Sequence, residues 1–374
     1  MKKLITTPDD LTTLVARLLD AEAVAVDTEF FWERTYYPVL GLVQLATTDG
    51  CWLVDAVAVR DLRALGPVLA APNVTKLLHD AHQDLTILAR ATGAAPRTVF
   101  DTRVAAGFAG FSSTSSLQAL LRDALGVELT KAETRSDWLR RPLSESQIRY
   151  AAEDVIHLIP LRTALLTHCA GDTPRAWMSE ELARLDNAAL YSDRDPRSMY
   201  QRVKGGSHLD ARSLAVLREA AAWREEEARQ RDRPREYILS DTLLMALAET
   251  QPNDRTALAA LPGFPHRMPR RVMDALLAAV ARGLALPDEA CPQHTGFRLE
   301  EKRALKASSD RLLARIRIAC DVHGIDPALV ASRADVENYL RAQQKGQSAE
   351  CPLGQGWRAF ILATPNTEQS NAQR

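Results

Sequence analysis

The 374-residue sequence predicts an α/β domain with a mixed sheet, followed by an all-α half. Two observations predict this fold class. Within the first 205 residues, three strand-like runs follow one another closely and strands then alternate with helical segments, which describes a mixed sheet with helices packed on it. After Gly205-Gly206 the strand-like runs end, and helical segments separated by Pro and Gly follow. A chain of this length is expected to form two or three domains.

The elements of the first domain can be assigned in chain order. TPDDLTTLVARLL is typical of a helix, because Thr7 is a good N-cap and Pro8 fits the first helical position. AVAVD is typical of a strand, and GLVQLATTDGCWLVDA predicts two strands around Asp49-Gly50, so three neighbouring antiparallel strands are expected. Further along, the pattern predicts a helix near residues 60–69, the strands TKLLH and RTVFD, and the helices AHQDLTILAR, SSLQALLRDALG and SESQIRYAAEDVIHLIPLRTALLTHC.

The second half contains only helical patterns. They are DARSLAVLREAAAWREEEARQRDR, SDTLLMALAET, RRVMDALLAAVARG and SSDRLLARIRIACDVHG. A proline-containing break at residues 287–292 separates two units of similar size. We therefore expect domains at residues 1–205, 206–290 and 291–374, the last of them ending in a disordered tail, TPNTEQSNAQR.

Composition limits the classes of function. The net charge is −1, so a surface for nucleic acid has to be a local patch rather than a property of the whole chain. The five cysteines are scattered and form no CxxC pair, which favours a reduced, cytoplasmic protein. The sequence contains neither a signal-peptide pattern nor a run of about 18 apolar residues, so we expect no secretion and no membrane partner.

Two acids stand at the end of the first long strand. In AVAVDTEF, Asp27 and Glu29 are two residues apart, so both carboxylates point to the same face of an extended chain. Two like charges at one place raise each other's pKa unless a divalent cation lies between them. The strand end predicts a metal site on this reasoning, although a strand that simply reaches solvent would explain the same two residues.

Further acids occur on later elements. Asp84 lies in the first turn of the helix that follows strand TKLLH, where an acid also interacts well with the helix dipole. In RYAAED, Tyr150 and Asp154 are four residues apart and share one face of a helix. That helix has an apolar stripe with which it can pack on the sheet. A half-exposed tyrosine above a solvated aspartate would explain the same pair.

In this order the acids and the tyrosine resemble the motifs of a known family. The chain is similar to the ribonuclease D branch of the DEDD exonucleases, the subgroup with a tyrosine in its third motif. TYYPVLGLVQLAT, LTKAETRSDWLRRPLSESQIRYAAEDV and AWREEEARQRDRPREYILSD also resemble that family. The resemblance implies a ribonuclease-H-like mixed-sheet exonuclease domain followed by all-α HRDC (helicase and RNase D C-terminal) domains, two of them in tandem.

The resemblance also implies a catalytic set. Asp27 and Glu29 correspond to the first motif and Asp84 to the second. Tyr150 and Asp154 correspond to the third. The four acids would hold two Mg²⁺ or Mn²⁺ ions, because two-metal hydrolysis of a phosphodiester needs a bridging carboxylate, and Asp27 is placed to be that bridge. Tyr150 would orient or deprotonate the attacking water.

The implied activity is 3′-to-5′ exoribonuclease action. In the family, such enzymes trim RNA from the 3′ end, including tRNA precursors, and release nucleoside monophosphates. We therefore expect structured RNA with a free 3′ end as the partner, and a monomer as the acting form. Two alternatives are a DNA 3′-to-5′ exonuclease of the same fold and an inactive RNA-binding scaffold, since these residues do not reveal a preference for the 2′-hydroxyl.

Contacts to RNA beyond the catalytic set can also be predicted. Aromatic residues just after the first motif could stack a terminal base, or they could belong to the core. Arginines on the first helix of the second half could bind phosphates, although acids alternate with them as on a solvated helix face. The candidate nucleic-acid contacts are Phe30, Trp32, Arg224, Arg231, Arg233 and Arg235.

Overall fold

The computed structural model describes residues 2–129, 133, 136–265, 267–293 and 299–364. These residues form two compact units. The first unit comprises the described residues of Met1–Phe31, Leu40–Ser192 and Leu299–Arg374, and the second comprises those of Trp32–Val39 and Asp193–Arg298. The predicted disordered tail lies outside the described residues apart from Thr364. Among the described residues, no helix combines the length and the apolar character needed to cross a bilayer.

Six strands of the first unit form one sheet. They are β1 (Lys2–Ile5), β2 (Ala23–Phe31), β3 (Val39–Thr47), β4 (Gly50–Asp55), β5 (Thr75–Leu78) and β6 (Val99–Asp101). Their order across the sheet is β1-β4-β3-β2-β5-β6. Strands β3 and β4 pair antiparallel, with Thr47 opposite Gly50 at the predicted hairpin, whereas β2, β5 and β6 run parallel. The predicted mixed sheet is confirmed.

The helices surround this sheet and fill the second unit. The first nine are α1 (Pro8–Leu19), α2 (Ala56–Val59), α3 (Gly66–Ala70), α4 (His82–Thr92), α5 (Thr102–Phe108), α6 (Leu117–Leu125), α7 (Glu145–Ile156), α8 (Leu158–His168) and α9 (Asp172–Ala183). The second unit contains α10 (Ala211–Arg231), α11 (Arg235–Ile238), α12 (Asp241–Thr250), α13 (Arg255–Ala259) and α14 (Arg270–Leu284). The first unit ends with α15 (Leu299–His323), α16 (Arg333–Gln344) and α17 (Gly356–Ala363).

The prediction of one helix near residues 60–69 is wrong. The structure has α2 before this stretch, a 3₁₀ turn at Arg63–Leu65 and then α3. Arg60 adopts a φ of 65°, a left-handed conformation that ends α2. The long predicted helix after Ser144 is likewise divided at His157 into α7 and α8. In both places the helical pattern of apolar residues continues through the position at which the backbone leaves the helix, so the pattern did not predict the break.

The sheet separates two apolar cores. Ala23 and Ala25 of β2 face one core, which α7 and α8 also line, and Val24 and Val26 face the other. This alternation buries both faces of the strand until Asp27, where the burial becomes partial. The fold thus brings β2 out of the core at the residues that were predicted to bind metal.

The last described residues belong to the first unit. Glu181 of α9 accepts a hydrogen bond from Trp357 Nε1 at 3.0 Å and one from Arg358 Nη2 at 2.9 Å. Trp357 is buried and its ring lies 5.0 Å from that of Phe108, centroid to centroid. The sequence predicted a separate domain at residues 291–374, whereas the compact units group α15 to α17 with the exonuclease-like sheet.

Candidate active site

The first two acids of the site come from the end of β2. Asp27 and Glu29 are both partly buried, and each offers a carboxylate oxygen to the same point. Thr28 lies between them and is 5% exposed. The strand holds the two acids on one face because it remains extended through Phe31.

The third acid reaches this place because β2 and β5 run parallel. Parallel strands end at the same edge of a sheet, so the chain leaving β5 enters α4 beside the end of β2. Asp84 is in the first turn of α4 and is 9% exposed. Its Oδ1 accepts a hydrogen bond from the hydroxyl of Thr28, the residue between the two acids of β2. This bond joins Asp84 to strand β2.

The turn between β5 and α4 is held by Asp101. Its carboxylate accepts hydrogen bonds from the backbone N–H groups of Asp80 at 3.1 Å, Ala81 at 2.8 Å and Arg103 at 2.8 Å. Asp80 has a φ of 64°, which is unfavourable for a residue other than glycine. The bonds from Asp80 and Ala81 stabilise this conformation beside the start of α4, and the bond from Arg103 caps α5.

Helix α7 supplies the fourth acid and the tyrosine. The helix begins with a capping box, in which Ser144 Oγ accepts from Gln147 N at 3.1 Å and Gln147 Oε1 accepts from Ser144 N at 2.9 Å. Two turns later, Asp154 is 9% exposed. Carboxylate oxygens of Asp27, Glu29 and Asp154 lie within 4.8 Å of one another. We call these three residues together with Asp84 the acid cluster.

The pKa values of the four carboxyl groups in the acid cluster are all raised. Burial raises the pKa of Asp27 well above its ordinary value, and the nearby charges of Asp84 and Asp154 raise it further. Burial likewise raises the pKa of Glu29 to about 9, with Asp154 and Asp84 adding to the effect. Burial is also the largest cause for Asp154, whose pKa rises to about 7, and for Asp84, whose pKa rises to about 6. The ionised forms are therefore unstable without a cation.

The acid cluster has the properties of a site for divalent cations. Oδ2 of Asp154 is buried and has no hydrogen-bond partner within the described part of the chain. Over the same residues, no arginine or lysine forms an ion pair with any of the four carboxylates. A set made only of carboxylate oxygens suits hard cations such as Mg²⁺ and Mn²⁺. A bound cation would satisfy the free oxygen and stabilise the ionised forms that burial disfavours.

Tyr150 lies next to this cluster on α7. It lies one helical turn before Asp154, on the same face of the helix. Burial, followed by the charges of Asp154 and Glu29, raises the pKa of the phenol. The ring of Trp138 lies 6.1 Å from that of Tyr150, centroid to centroid, and limits its movement. Tyr150 thus provides a protonated hydroxyl beside the acid cluster.

The structure adds residues that sequence reasoning missed. Thr28 was visible only as the middle residue of D-T-E, and its bond to Asp84 depends on a strand pairing that no local pattern shows. Asp101 gave no signal, because the turn it holds is 20 residues away in the chain. The capping box at Ser144 is readable as S-x-x-Q before the apolar stripe of α7, so it could have been used to place that helix.

The aromatic candidates for RNA contact differ in exposure. Phe30 is partly buried near the end of β2. Trp32 belongs to the second unit and is 53% exposed. Only Trp32 therefore presents a large part of its ring to solvent, and stacking by either residue stays a prediction.

Three of the four arginine candidates of the second unit pair with acids of the protein. Arg224 is 4% exposed and donates to Asp241 Oδ1 at 2.8 Å and to the carbonyl of Leu239 at 2.9 Å, so a phosphate contact would first require breaking these bonds. Arg231 pairs with Glu227, four residues earlier on α10. Arg233 is exposed. The binding of phosphate by these residues stays a prediction.

Arg235 belongs to a buried network around Glu225. The side chain of Glu225 is 1% exposed and accepts from Arg235 Nη2 at 2.9 Å, from Arg229 Nη2 at 3.2 Å and from the hydroxyl of Tyr36. Burial alone raises the pKa of Glu225, but the hydrogen bonds from Arg235 and Tyr36 outweigh it and lower the pKa. We call Glu225, Tyr36, Arg229 and Arg235 the Glu225 network.

Comparison with known families agrees with this geometry. Residues 3–169 match the family model described as 3′-5′ exonuclease, and residues 213–280 match the HRDC domain. Ribonuclease D of Desulfotalea psychrophila is 40% identical over 362 residues, covering 96% of both chains. Ribonuclease D of Escherichia coli K12 is 31% identical over 365 residues, again covering 96% of both chains.

A solved structure gives the same result for the fold. The crystal structure of Escherichia coli RNase D, described as an exoribonuclease involved in structured RNA processing, superposes with a TM-score of 0.83 at 28% identity and covers 100% of this chain and 98% of that one. Fold, matched family and acid cluster together define a 3′-5′ exonuclease that uses divalent metal. The chain belongs to the ribonuclease D family. It is a 3′-5′ exoribonuclease with RNA as its substrate, and neither the DNA-specific nor the inactive alternative is favoured.

Proposed function

We propose that this exoribonuclease removes one nucleotide at a time from the 3′ end of structured RNA, tRNA precursors among them, and releases nucleoside monophosphates. It acts as a monomer in the cytoplasm, and its second unit is an HRDC domain within residues 206–290. The observation that carries the catalytic part of the proposal is the acid cluster, in which the carboxylates of Asp27, Glu29 and Asp154 converge, with Asp84 bonded to Thr28 beside them, and no described arginine or lysine pairs with them.

The residues of the acid cluster are proposed to hold two divalent cations, Mg²⁺ or Mn²⁺. When bound, such cations acidify a water molecule and neutralise negative charge on the phosphate. Asp154 presents a free buried oxygen for this purpose, and Thr28 keeps Asp84 in place through its hydroxyl. Because these polar groups are already ordered, little free energy is needed to reorganise them when the substrate binds.

Tyr150 is proposed to orient the attacking water. Tyr150 lies one turn before Asp154 on the same face of α7, beside the acid cluster, and the ring of Trp138 lies 6.1 Å from its own ring. Because the phenol is protonated, it donates a hydrogen bond to the water and does not remove a proton from it. The preference for a 3′ end follows if only a chain terminus can enter the site.

A set of matched substrates tests this function. A single-stranded RNA with a 3′-hydroxyl, the same RNA with a 3′-phosphate, its circular form and the matching DNA are incubated with Mg²⁺ or Mn²⁺. We expect monophosphates from the first RNA, resistance of the 3′-phosphate and of the circle, and slower cleavage of DNA. Cleavage of the circle at a comparable rate would show endonuclease action. A tRNA precursor with a 3′ extension, beside mature tRNA, tests the proposed natural substrate.

A further inference from the structure

The second unit contains a cavity of about 360 Å³. Trp32, Thr35 and Tyr36 form one part of its lining, and Met199 and Arg202 contribute to the rest. All of its lining residues belong to the second unit. The cavity therefore does not include any residue of the acid cluster, and its volume is sufficient for a small organic group such as one nucleotide.

Trp32 is the most unusual residue of this lining. Its side chain is 53% exposed, while the other five tryptophans of the chain are each at most 9% exposed. Its indole N–H donates to the carbonyl of Tyr36 at 3.0 Å, so the single polar atom of the ring is already bonded to the protein. What remains open to the solvent is an aromatic surface in a fixed orientation, which is the property of a stacking platform for a flat ring.

Three arginines line the same cavity as Trp32, and two of them are paired with acids of the protein. Arg224 is paired with Asp241, and Arg235 is paired with Glu225 of the Glu225 network. Arg202 is exposed and forms no ion pair within the described part of the chain. It is thus the arginine of the lining that can meet an anion without losing a bond inside the protein.

The acids of the cavity lining limit how much negative charge a ligand can carry. Glu33, Glu236 and Asp241 also border the cavity. Asp241 lies 2.8 Å and Glu236 lies 3.8 Å from Arg224, so their charges are partly compensated. Glu33 is exposed and can accept hydrogen bonds from N–H groups. A run of several phosphates would be repelled by these acids, whereas a base with one phosphate fits the balance of charges.

We propose that this cavity binds one nucleotide of the single-stranded RNA substrate, with the base stacked on Trp32 and its phosphate paired with Arg202. The inference rests on the RNA-degrading function proposed above. It adds a binding subsite that is formed wholly by the second unit, and it assigns to Arg202 a role in holding the RNA strand. Because stacking needs only the face of a base, the subsite accepts any sequence and holds purines more tightly than pyrimidines.

The exposed tryptophan gives a direct measurement. In the full-length protein carrying Asp27→Asn, which prevents cleavage under the proposed function, acrylamide should quench mainly Trp32, because the other tryptophans are buried. Adding short oligoadenylate should reduce the quenched fraction, and oligouridylate should do so only at higher concentration. Free AMP added alone distinguishes a subsite for an RNA strand from a site for a free nucleotide, since the strand should bind far more tightly.

Substitutions complete the test. Trp32→Ala in the same background should weaken binding of oligoadenylate by about 5- to 100-fold without changing the salt dependence, and Trp32→Phe should restore most of it. Arg202→Ala should lower the slope of log affinity against log salt by about 0.7, because one phosphate contact is lost. Tyr237→Ala and Lys204→Ala are matched controls, as both residues are exposed in the same unit but lie outside the cavity lining.

The outcomes separate this inference from the proposed function. RNA that binds while Trp32 remains fully accessible to acrylamide overturns the subsite, as does equal affinity of Trp32→Ala and the parent protein. If Trp32→Ala fails to fold, the quenching of Trp32 in the Asp27→Asn protein and the salt dependence of Arg202→Ala still decide. Cleavage of the RNA by the Asp27→Asn protein would instead contradict the catalytic assignment and leave the subsite to be judged by the binding data.

Discussion

The acid cluster and the Glu225 network are both buried groups of charged side chains, yet they differ in what balances the charge. Glu225 receives hydrogen bonds from two arginines and a tyrosine, and its pKa is lowered. In the acid cluster, the pKa of Glu29 rises to about 9 because burial and neighbouring acids are not offset. Identical carboxyl groups are therefore stabilised as anions in one unit and destabilised in the other.

This difference distinguishes a structural cluster from a binding site. A buried charge is tolerated when its partner is part of the same fold, and removing that partner mainly costs stability. A buried charge without such a partner indicates that the partner comes from outside. For the acid cluster the missing partner is a divalent cation, and a change there should affect activity before it affects folding.

The largest expected effect is the loss of activity in Asp27→Asn. Removing one carboxylate of the acid cluster weakens metal binding and transition-state stabilisation by several kcal/mol, which corresponds to a fall in kcat/KM of about 10³-fold or more. The rate of monophosphate release from RNA measures this. The melting temperature in EDTA should stay the same or rise, because one source of repulsion disappears.

Metal-induced stabilisation provides the control for this variant. Mn²⁺ should raise the melting temperature of the parent protein, since a ligand that binds only the folded state stabilises it. The same addition should have little effect on Asp27→Asn. A variant that retains both the stabilisation by Mn²⁺ and appreciable turnover would show that Asp27 is not a metal ligand.

The next effect is expected for Tyr150→Phe, which removes a hydroxyl but no metal ligand. The value of kcat should fall by about 10² to 10⁴-fold, whereas the Mn²⁺ concentration needed for half of the thermal stabilisation should hardly change. Single-turnover kinetics with saturating enzyme measure the chemical step. An unchanged single-turnover rate would assign Tyr150 to packing against Trp138.

Glu225→Gln should affect stability and leave the metal site unchanged. The substitution removes the charge of the buried Glu225 from the partly buried Arg229 and Arg235, so the free energy of unfolding should fall by about 3 kcal/mol. Urea denaturation measures this, and metal-induced stabilisation should persist. Asp274→Asn is the matched control, because its ion pair with Arg255 is half exposed and should contribute nothing measurable. Equal midpoints for both variants would contradict the contrast between the two clusters.

The residues of the acid cluster could be predicted from the sequence, whereas the Glu225 network could not. The residues of the acid cluster lie in short patterns, D-x-E at a strand end and Y-x-x-x-D on a capped helix, so local chemistry and the family resemblance both indicated them. The mixed sheet could be predicted because it follows from the order of strands and helices. The convergence of the four acids depends on the parallel pairing of β2 with β5, which no local pattern in the sequence indicated.

The Glu225 network could not be predicted in this way. Glu225 and Tyr36 are 189 residues apart, and no local pattern connects them. Alternating Arg and Glu on α10 looked like a solvated face, yet Arg224 and Glu225 are both buried because α10 packs against several elements of the second unit. A pattern of charges shows which residues can pair but not which side of a helix the fold covers.

The smallest effect concerns the pH dependence of stability, and its sign differs between the clusters. The pKa of Glu29 is about 9 in the folded chain and 4.5 ordinarily, so the folded state binds more protons between these values and stability falls as pH rises from 4.5 to 9. The lowered pKa of Glu225 has the opposite effect: it stabilises the folded state fully above pH 4.5, and this stabilisation is lost only as the pH falls below that value.

In EDTA, the melting temperature should therefore be a few degrees higher at pH 5.5 than at pH 8. Glu29→Gln should reduce this difference, whereas Glu225→Gln should not. Saturating Mn²⁺ should remove the difference, because the bound cation keeps the carboxylates ionised. A melting temperature that rises from pH 5.5 to pH 8 in EDTA would mean that the acid cluster already has a countercharge within the protein.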